Sequence, residues 1–383
     1  MKFLRLLLKN LFRNRLRTFL TISSVAASLF LVSTLLTVLS ELTSPPETPE
    51  SALRLITRHK ISLFNAIPYS YRQKIAAVDG VEAVIGSMWF GGIYDDQGKE
   101  NQLAEFAVDS DQFFQVNADM ILSPEEKEAF INDRAGAIAG RALADRFGWK
   151  VGDTIHTRSN LFPTEVELNL RGIYKGGTDE GGGLYFQWAY FNEAMNNAGF
   201  TGTYSIRVRS PEEVPAVAER VDSLFKNSTA PTKTETERAF ILGFVSMLGN
   251  VQFLISSICL AVTFAVVLIA ANTMAMSIRE RVREIGILKA LGFRRRQVLG
   301  LLLGESIFLA LLGAVIGSWG ARLIFSGVNL AAMTGGYLQD FNVNATTLTL
   351  CAGLGLLIGF LAAGVPAWQA AQRPVVEALR KVA

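Results

Sequence analysis

Ser277–Gly292 reads SIRERVREIGILKALG, and it decides how the rest of the chain is understood. The stretch is dense in charge (Arg279, Glu280, Arg281, Arg283, Glu284, Lys289) yet lies between two long apolar runs. Ile278, Val282, Ile285 and Leu288 or Lys289 recur at the three/four spacing of one helical face. Its polar face is mostly basic, and Arg294–Arg296 follow it directly. A basic helix joining two membrane spans belongs at the cytoplasmic surface, where its exposed groups are free to meet a soluble partner.

Working outward, the 383 residues are 50% hydrophobic and 19% charged, with a mean hydropathy of +0.29. That is too apolar for an ordinary soluble chain and too charged for one lying wholly in lipid. A mixed chain is expected: membrane spans plus a sizeable soluble domain. Net charge is +3, unevenly placed. The segments 1–17, 277–296 and 367–383 together hold sixteen basic and three acidic residues, a net +13, leaving −10 on the remainder. Basic segments beside apolar runs follow the positive-inside rule, so both termini and the 277–296 segment are assigned to the cytoplasm and residues 41–238 to the outside. Dispersed basic patches of this kind do not call for nucleic acid. Cys259 and Cys351 both lie in apolar runs, which excludes a disulfide framework or cysteine-ligated metal in the soluble part. His59 and His156 belong to no metal motif, and no metal site is expected.

The spans follow from hydropathy and length. Lys2–Asn14 has Leu4, Leu7, Leu8, Leu11 and Phe12 on one face and Lys2, Arg5, Lys9 and Arg13 on the other, an interfacial helix within segment 1–17. The first span is placed at 18–40. Its apolar run, Thr18–Leu39, is longer than the about 7–15 residues of a signal-peptide core, and no small-residue cleavage pattern follows. Ala239–Ser277 is expected as one unbroken helix, a stalk over Ala239–Gln252 continuing into the second span, with Gly243 and Gly249 as weak points. The loop with its coupling helix takes 278–296, the third span 297–325, an outside loop 326–344, the fourth span 345–366 ended by Pro366, and a cytoplasmic tail 367–383. Gly313 and Gly317 form a GxxxG packing motif. Glu305, about two turns inside the third span, is expected to pair with a nearby Arg.

Between the first two spans, alternating apolar patterns and turn signals predict an α+β domain, with a middle lobe at about 121–200. Strands are expected at Lys60–Phe64, Glu82–Tyr94, Leu103–Val108, Thr154–Arg158, Val166–Tyr174 and Thr203–Val208. Helices are expected at Tyr69–Val78, Asp119–Asp133 (with Pro124 at its start), Ala139–Phe147 and Val214–Phe225. Gly176–Gly183 is glycine-rich, but no GK[ST] follows, and no Walker motif occurs in the chain. The fold class is therefore an α-helical membrane protein of four transmembrane helices, with an α+β extracytoplasmic domain inserted between the first and second.

Arg283–Gly292, Arg295-Arg296-Gln297-Val298 and Glu305 resemble the signature around the loop between the second and third spans of MacB/FtsX-type ABC transporter permeases. Pro366–Arg380 is similar to that family's C-terminal motif, and Gly140–Gly148 with Val151-Gly152-Asp153 to its outside domain. The resemblance implies a permease without a fused nucleotide-binding domain, docking a separate cytoplasmic ATPase that carries the ATP and magnesium. It implies no cofactor in this chain and no catalytic residue. It also implies a second permease protomer, a homodimer being favoured over a heterodimer. A periplasmic adaptor and an outer-membrane channel are compatible further partners, with membrane lipid as the surround. The expected ATPase contacts are Glu280, Arg283, Glu284, Ile285, Gly286, Ile287 and Lys289, with Ile285 and Ile287 as apolar anchors. Export or extraction of a substrate, driven by movement of the outside domain, is the leading expectation. A signalling permease controlling an extracytoplasmic hydrolase or sensing a peptide ranks second. A membrane-anchored enzyme or adaptor ranks third, because no catalytic constellation stands out.

Overall fold

The computed structural model describes residues 15–43, 48–96, 98–177, 179, 182–247, 249–326 and 343–374. The elements begin with α1 (Arg15–Thr43), β1 (Arg54–His59), β2 (Ile67–Pro68), α2 (Tyr71–Ala76), β3 (Val81–Trp89), β4 (Gly92–Asp96), β5 (Lys99–Gln102), β6 (Ala104–Val108), α3 (Phe113–Val116), β7 (Met120–Ile121), α4 (Pro124–Asn132), β8 (Gly136–Gly140) and α5 (Arg141–Phe147). They continue with β9 (Thr154–Ser159), β10 (Glu165–Gly176), β11 (Gly183–Gln187), α6 (Trp188–Ala194), β12 (Phe200–Thr201), β13 (Thr203–Val208), α7 (Val214–Phe225), β14 (Thr232–Thr236), α8 (Glu237–Met247), α9 (Val251–Glu280), α10 (Val282–Ala290), α11 (Arg295–Ser326) and α12 (Ala345–Gln372). Two compact units result: a mixed one within 42–249 and a helical one holding α1 and α9–α12. The expected interfacial helix at 2–14 and most of the 326–344 loop and 367–383 tail lie outside the described residues.

One sheet organises the mixed unit, in the order β14-β1-β13-β3-β6-β11-β8-β10-β9-β4-β5. Its first four strands form a double split βαβ. β1 is antiparallel to both β14 and β13, and β3 is antiparallel to β13, so β1–α2–β3 and β13–α7–β14 interleave. Helix α7 builds this core by helical spacing, burying Val214, Val217, Val221 and Phe225. Phe225 stacks on Tyr71 of α2 at 3.9 Å between ring centroids. Everything from about 90 to 202 is an insertion between β3 and β13. The middle lobe expected at 121–200 thus begins some thirty residues earlier, and it is no detached body. β6 pairs with Ser87–Trp89 of β3 and carries the sheet onward through β11 and β8.

Local signals account for several elements. Ser123 caps α4 with a full capping box to Glu126, and Pro124 sits at the first helical position. Corrections are equally local. The strand expected at Lys60–Phe64 lies earlier, at Arg54–His59, and Ile61 and Phe64 are exposed. The alternation was masked there because Arg54, Thr57 and His59 are buried polar residues. Ala139 and Gly140 close strand β8 rather than opening a helix, and α5 starts at Arg141. β8 is buried at all five positions, as a strand covered on both faces must be, so it shows no period-two pattern.

In the helical unit, α1, α9, α11 and α12 are each long and apolar enough to cross a membrane. Val25, Leu29 and Val32 of α1 pack with Val266 and Ala270 of α9, Ala310 and Ala314 of α11, and Ile358 and Ala362 of α12. Small residues bring backbones together. A Cβ on Gly317 would lie 2.3 Å from the Ala26 carbonyl oxygen, and one on Gly313 2.7 Å from Val25 Cβ. A second such pair, Gly355 and Gly359 on α12, meets Ala314 and the Ile307 backbone of α11. It reads GLLIG, the same spacing as the first.

Two expectations about these helices are overturned. The unbroken stalk over Ala239–Gln252 is not formed. α8 stops at Met247, Gly249 adopts φ +91°, and Asn250 caps a new helix by accepting from the Phe253 N–H at 2.9 Å. A left-handed glycine followed by an N-cap residue is a stop and a start written side by side. Nor does Pro366 end the fourth span. α12 runs through it to Gln372, because Ala367 and Ala370 beyond it are buried in a cluster that repays the lost hydrogen bond.

Candidate partner-docking site

The stretch 277–292 is two helices, not the single one its spacing suggested. Ser277–Glu280 is the last turn of α9, and Arg281, at φ −104° and ψ 11°, separates it from α10. The cause is an ion pair. Arg281 turns inward and its Nη1 donates to both carboxylate oxygens of Glu305 on α11, each at 2.9 Å. The two side chains are only 12% and 6% exposed, so loss of either partner would leave the other charge largely desolvated and uncompensated. Glu305 therefore does pair with an arginine, as expected for a carboxylate at that depth.

α10 is fixed from below by apolar contacts. Ile285 is buried with Ile278, Val298, Leu302, Ala367 and Ala370, and Gly286 is buried beside it. The helix ends in a Schellman motif. The Gly292 N–H donates to the Lys289 carbonyl at 3.0 Å and the Phe293 N–H to the Leu288 carbonyl at 3.1 Å, with Gly292 at φ +94°. Arg294 then leads into α11, where Gln297 Oε1 accepts from its N–H.

The seven residues expected at a partner interface consequently separate. Arg283 and Ile287 are exposed, Ile287 by 45%, and Leu291 joins them at 73%. These three fall on one face of α10, with the exposed Arg294–Arg296 beyond. Glu284 is half-buried, whereas Ile285 and Gly286 face inward. Glu280 is exposed and pairs with Arg17 of α1. Lys289 points away from the exposed face and donates to the Ala371 and Arg373 carbonyls at 2.6 and 2.7 Å. Burial, helped by the neighbouring Arg295, pushes its ammonium pKa below the ordinary lysine value. Leu291 was not among the expected contacts, although it lies within the stretch read as helix. Among the described residues, no group of His, Cys, Asp and Glu could hold a metal ion.

Comparison with known proteins gives two matches that between them take in most of the chain. Residues 18–224, over half of it, match the MacB-like periplasmic core domain, and residues 256–375 match the FtsX-like permease C-terminal domain. The chain belongs to the MacB/FtsX type of ABC transporter permease. An uncharacterised ABC transporter permease of Methanocaldococcus jannaschii is 26% identical over 328 residues, covering 81% of this permease and 79% of the relative. A macrolide export ATP-binding/permease protein, MacB, of Bdellovibrio bacteriovorus is 28% identical over 190 residues, covering 47% of this permease but 28% of the relative. Among solved structures, the periplasmic region of MacB from Actinobacillus actinomycetemcomitans aligns with 51% of the permease and 92% of that chain, at 11% identity and a TM-score of 0.38. The FtsX-like match encloses α10 and both of its bracing partners, Glu305 and the end of α12. The periplasmic-core match runs from the first membrane helix through most of the inserted α/β domain, stopping within α7 before β14.

Proposed function

We propose that the permease transmits the ATP-driven motion of a separate cytoplasmic ATPase to its α/β domain on the far side of the membrane, driving export or extraction of a substrate. The observation that carries this is the exposed face of α10. Arg283, Ile287 and Leu291 set an apolar pair beside positive charge on a helix whose other side is fully engaged. An apolar anchor with a charged rim is the composition of a contact that must hold under load. The 383 residues contain no Walker motif, which supports placing the nucleotide site on a separate polypeptide. Charge supports the orientation, with N- and C-termini cytoplasmic, the +13 segments inside and the inserted domain outside. The break at Gly249 means that no single continuous helix runs from 239 into the second span, so the proposed motion is not carried by one unbroken rod.

The working unit is read as two permease protomers with two ATPase subunits, homodimeric, with an adaptor and outer-membrane channel as further partners where an outer membrane exists. The test is ATP hydrolysis by the complex that co-purifies with the tagged full-length permease, reconstituted in lipid nanodiscs. Hydrolysis stimulated by the permease supports the reading. Hydrolysis indifferent to it, or no ATPase in the complex, refutes it.

A further inference from the structure

Three contacts hold α10 to the helical unit, at its start, its middle and its last turn. Arg281, at its start, grips Glu305 of α11. Ile285, at its middle, enters the cluster shared by α9, α11 and α12. Lys289, in its last turn, reaches the end of α12. The third differs in chemistry. The last carbonyls of any helix lack intrahelical partners and carry the negative end of its dipole. Such ends are usually closed by glycine or by side chains of the same helix. Here α12 ends at Gln372, and the carbonyls of Ala371 in its last turn and of Arg373, its C-cap, are taken by an ammonium from α10. One side chain thus closes one helix and ties it to another, more than eighty residues away in sequence. The contact is short and two-pronged, with the Ala371 bond part-buried and the Arg373 bond exposed.

We propose that Lys289 is a positioning residue, a lock that makes α10 and the C-terminal end of α12 move as one body, and not a contact to the partner. This role rests on the reading of α10 as the ATPase contact. Force entering at Ile287 and Leu291 can move the membrane helices only if α10 does not roll on them. Arg281–Glu305 pins the start of the helix. Lys289 pins the opposite end, the one that carries Leu291 and where Phe293 packs against the buried cluster. An arginine at 289 retains donors for both carbonyls, whereas methionine keeps the length and loses them.

Two readouts test the lock. In full-length permease carrying Cys259→Ala and Cys351→Ala, spin labels at Ile287→Cys and Trp368→Cys report the α10–α12 distance in nanodiscs without any ATPase. A single narrow distribution is expected with Lys289 and with Lys289→Arg, and a distribution at least twofold wider with Lys289→Met. Should Lys289→Met fail to insert, Lys289→Gln, which keeps one amide donor group, is expected to give an intermediate width. In label-free permease with the co-purifying ATPase, Lys289→Met is expected to bind within about twofold of wild type while stimulated hydrolysis falls at least fivefold, and Lys289→Arg to keep at least half of it. An unchanged distance distribution in Lys289→Met overturns the lock. So does a binding loss in Lys289→Met equal to that of Ile287→Asp, which would make Lys289 a partner contact. If Ile287→Asp binds normally, the docking face has been misassigned, and the spin-label result still decides the lock by itself.

Discussion

Arg54 offers the most exacting test of how the α/β domain is held together where the chain leaves it. Its guanidinium is 2% exposed and binds Asp119 at 2.7 Å, Glu237 at 2.8 Å and Asn117 Oδ1 at 3.1 Å. These partners tie β1 to the segment before β7 and to the first residue of α8. Burial alone would lower the guanidinium pKa, but the hydrogen bonds and charges of Asp119 and Glu237 outweigh it and hold it above its ordinary value. Asp119 is the mirror case. Burial would raise its carboxyl, yet Arg54 and the Thr48 hydroxyl hold it below the usual range. Arg54→Met leaves two carboxylates, 8% and 14% exposed, without their shared cation. Breaking a buried pair from one side costs about 3–5 kcal/mol. For a domain of this size that is a drop in Tm of about 6–20 °C.

The assay is thermal unfolding of full-length permease in nanodiscs, read from Trp89, Trp149 and Trp188 with Trp319 and Trp368 changed to Phe. Linkage fixes the sign of the pH effect. The contribution of Asp119 is present above its unfolded pKa and is lost as pH falls through its depressed folded pKa. Acidification should therefore erode the wild type while relieving the repulsion in Arg54→Met, so the gap between them narrows. Adding Asp119→Asn and Glu237→Gln to Arg54→Met should recover part of the loss. A shift under about 2 °C for Arg54→Met, well below that range, or a gap that widens in acid, would refute the reasoning.

Other outcomes follow from single sites. Gly317→Ala should lower detergent resistance of the helical unit by about 1–3 kcal/mol, since its Cβ would meet the Ala26 carbonyl. Gly320→Ala, with its nearest neighbour 4.0 Å away, should not; equal effects would dismiss the close-packing account. Glu105 is fully buried, and desolvation pushes its pKa up to about 8 despite the Thr157 hydroxyl bond. A raised carboxyl favours the folded state below its unfolded pKa and ceases to do so as pH rises through about 8. Unfolding of the wild-type domain should thus become easier from pH 5 to pH 9, and Glu105→Gln should flatten that slope; a parallel slope in both is the contrary result. Leu161→Cys should react with an impermeant thiol reagent in intact spheroplasts and Arg296→Cys only after lysis. The opposite pattern would invert the topology.

The membrane helices were legible because twenty apolar residues in a row have few other uses. The GxxxG at Gly313 and Gly317 was legible for the same reason, since its spacing is also its geometry. What escaped was whatever depends on a distant partner. The end of α12 was placed at Pro366 because nothing local reveals that Ala367 and Ala370 are buried against Ile285 and Val298. β8 escaped because a strand buried on both faces, GAIAG, carries no alternation. The stalk break was half-visible. Gly249 was recognised as weak, but a positive φ there becomes expected only when Asn250 is read as the cap of the next helix. In the docking site, the helical spacing marked out α10 but could not say which face the rest of the protein would cover. Lys289 was assigned outward because lysines usually are, and only the uncapped end of α12 turns it inward.

Binding of the co-purifying ATPase to full-length permease carrying Ile287→Asp, compared with wild type in nanodiscs, tests the central claim most directly. Ile287 is 45% exposed and holds up nothing in the fold, so the substitution should leave insertion and the thermal unfolding of the permease unchanged. A charge in the middle of an apolar anchor should weaken the complex at least tenfold and abolish permease-stimulated hydrolysis. Wild-type affinity and stimulation in correctly inserted Ile287→Asp would show that the exposed face of α10 is not where the ATPase engages.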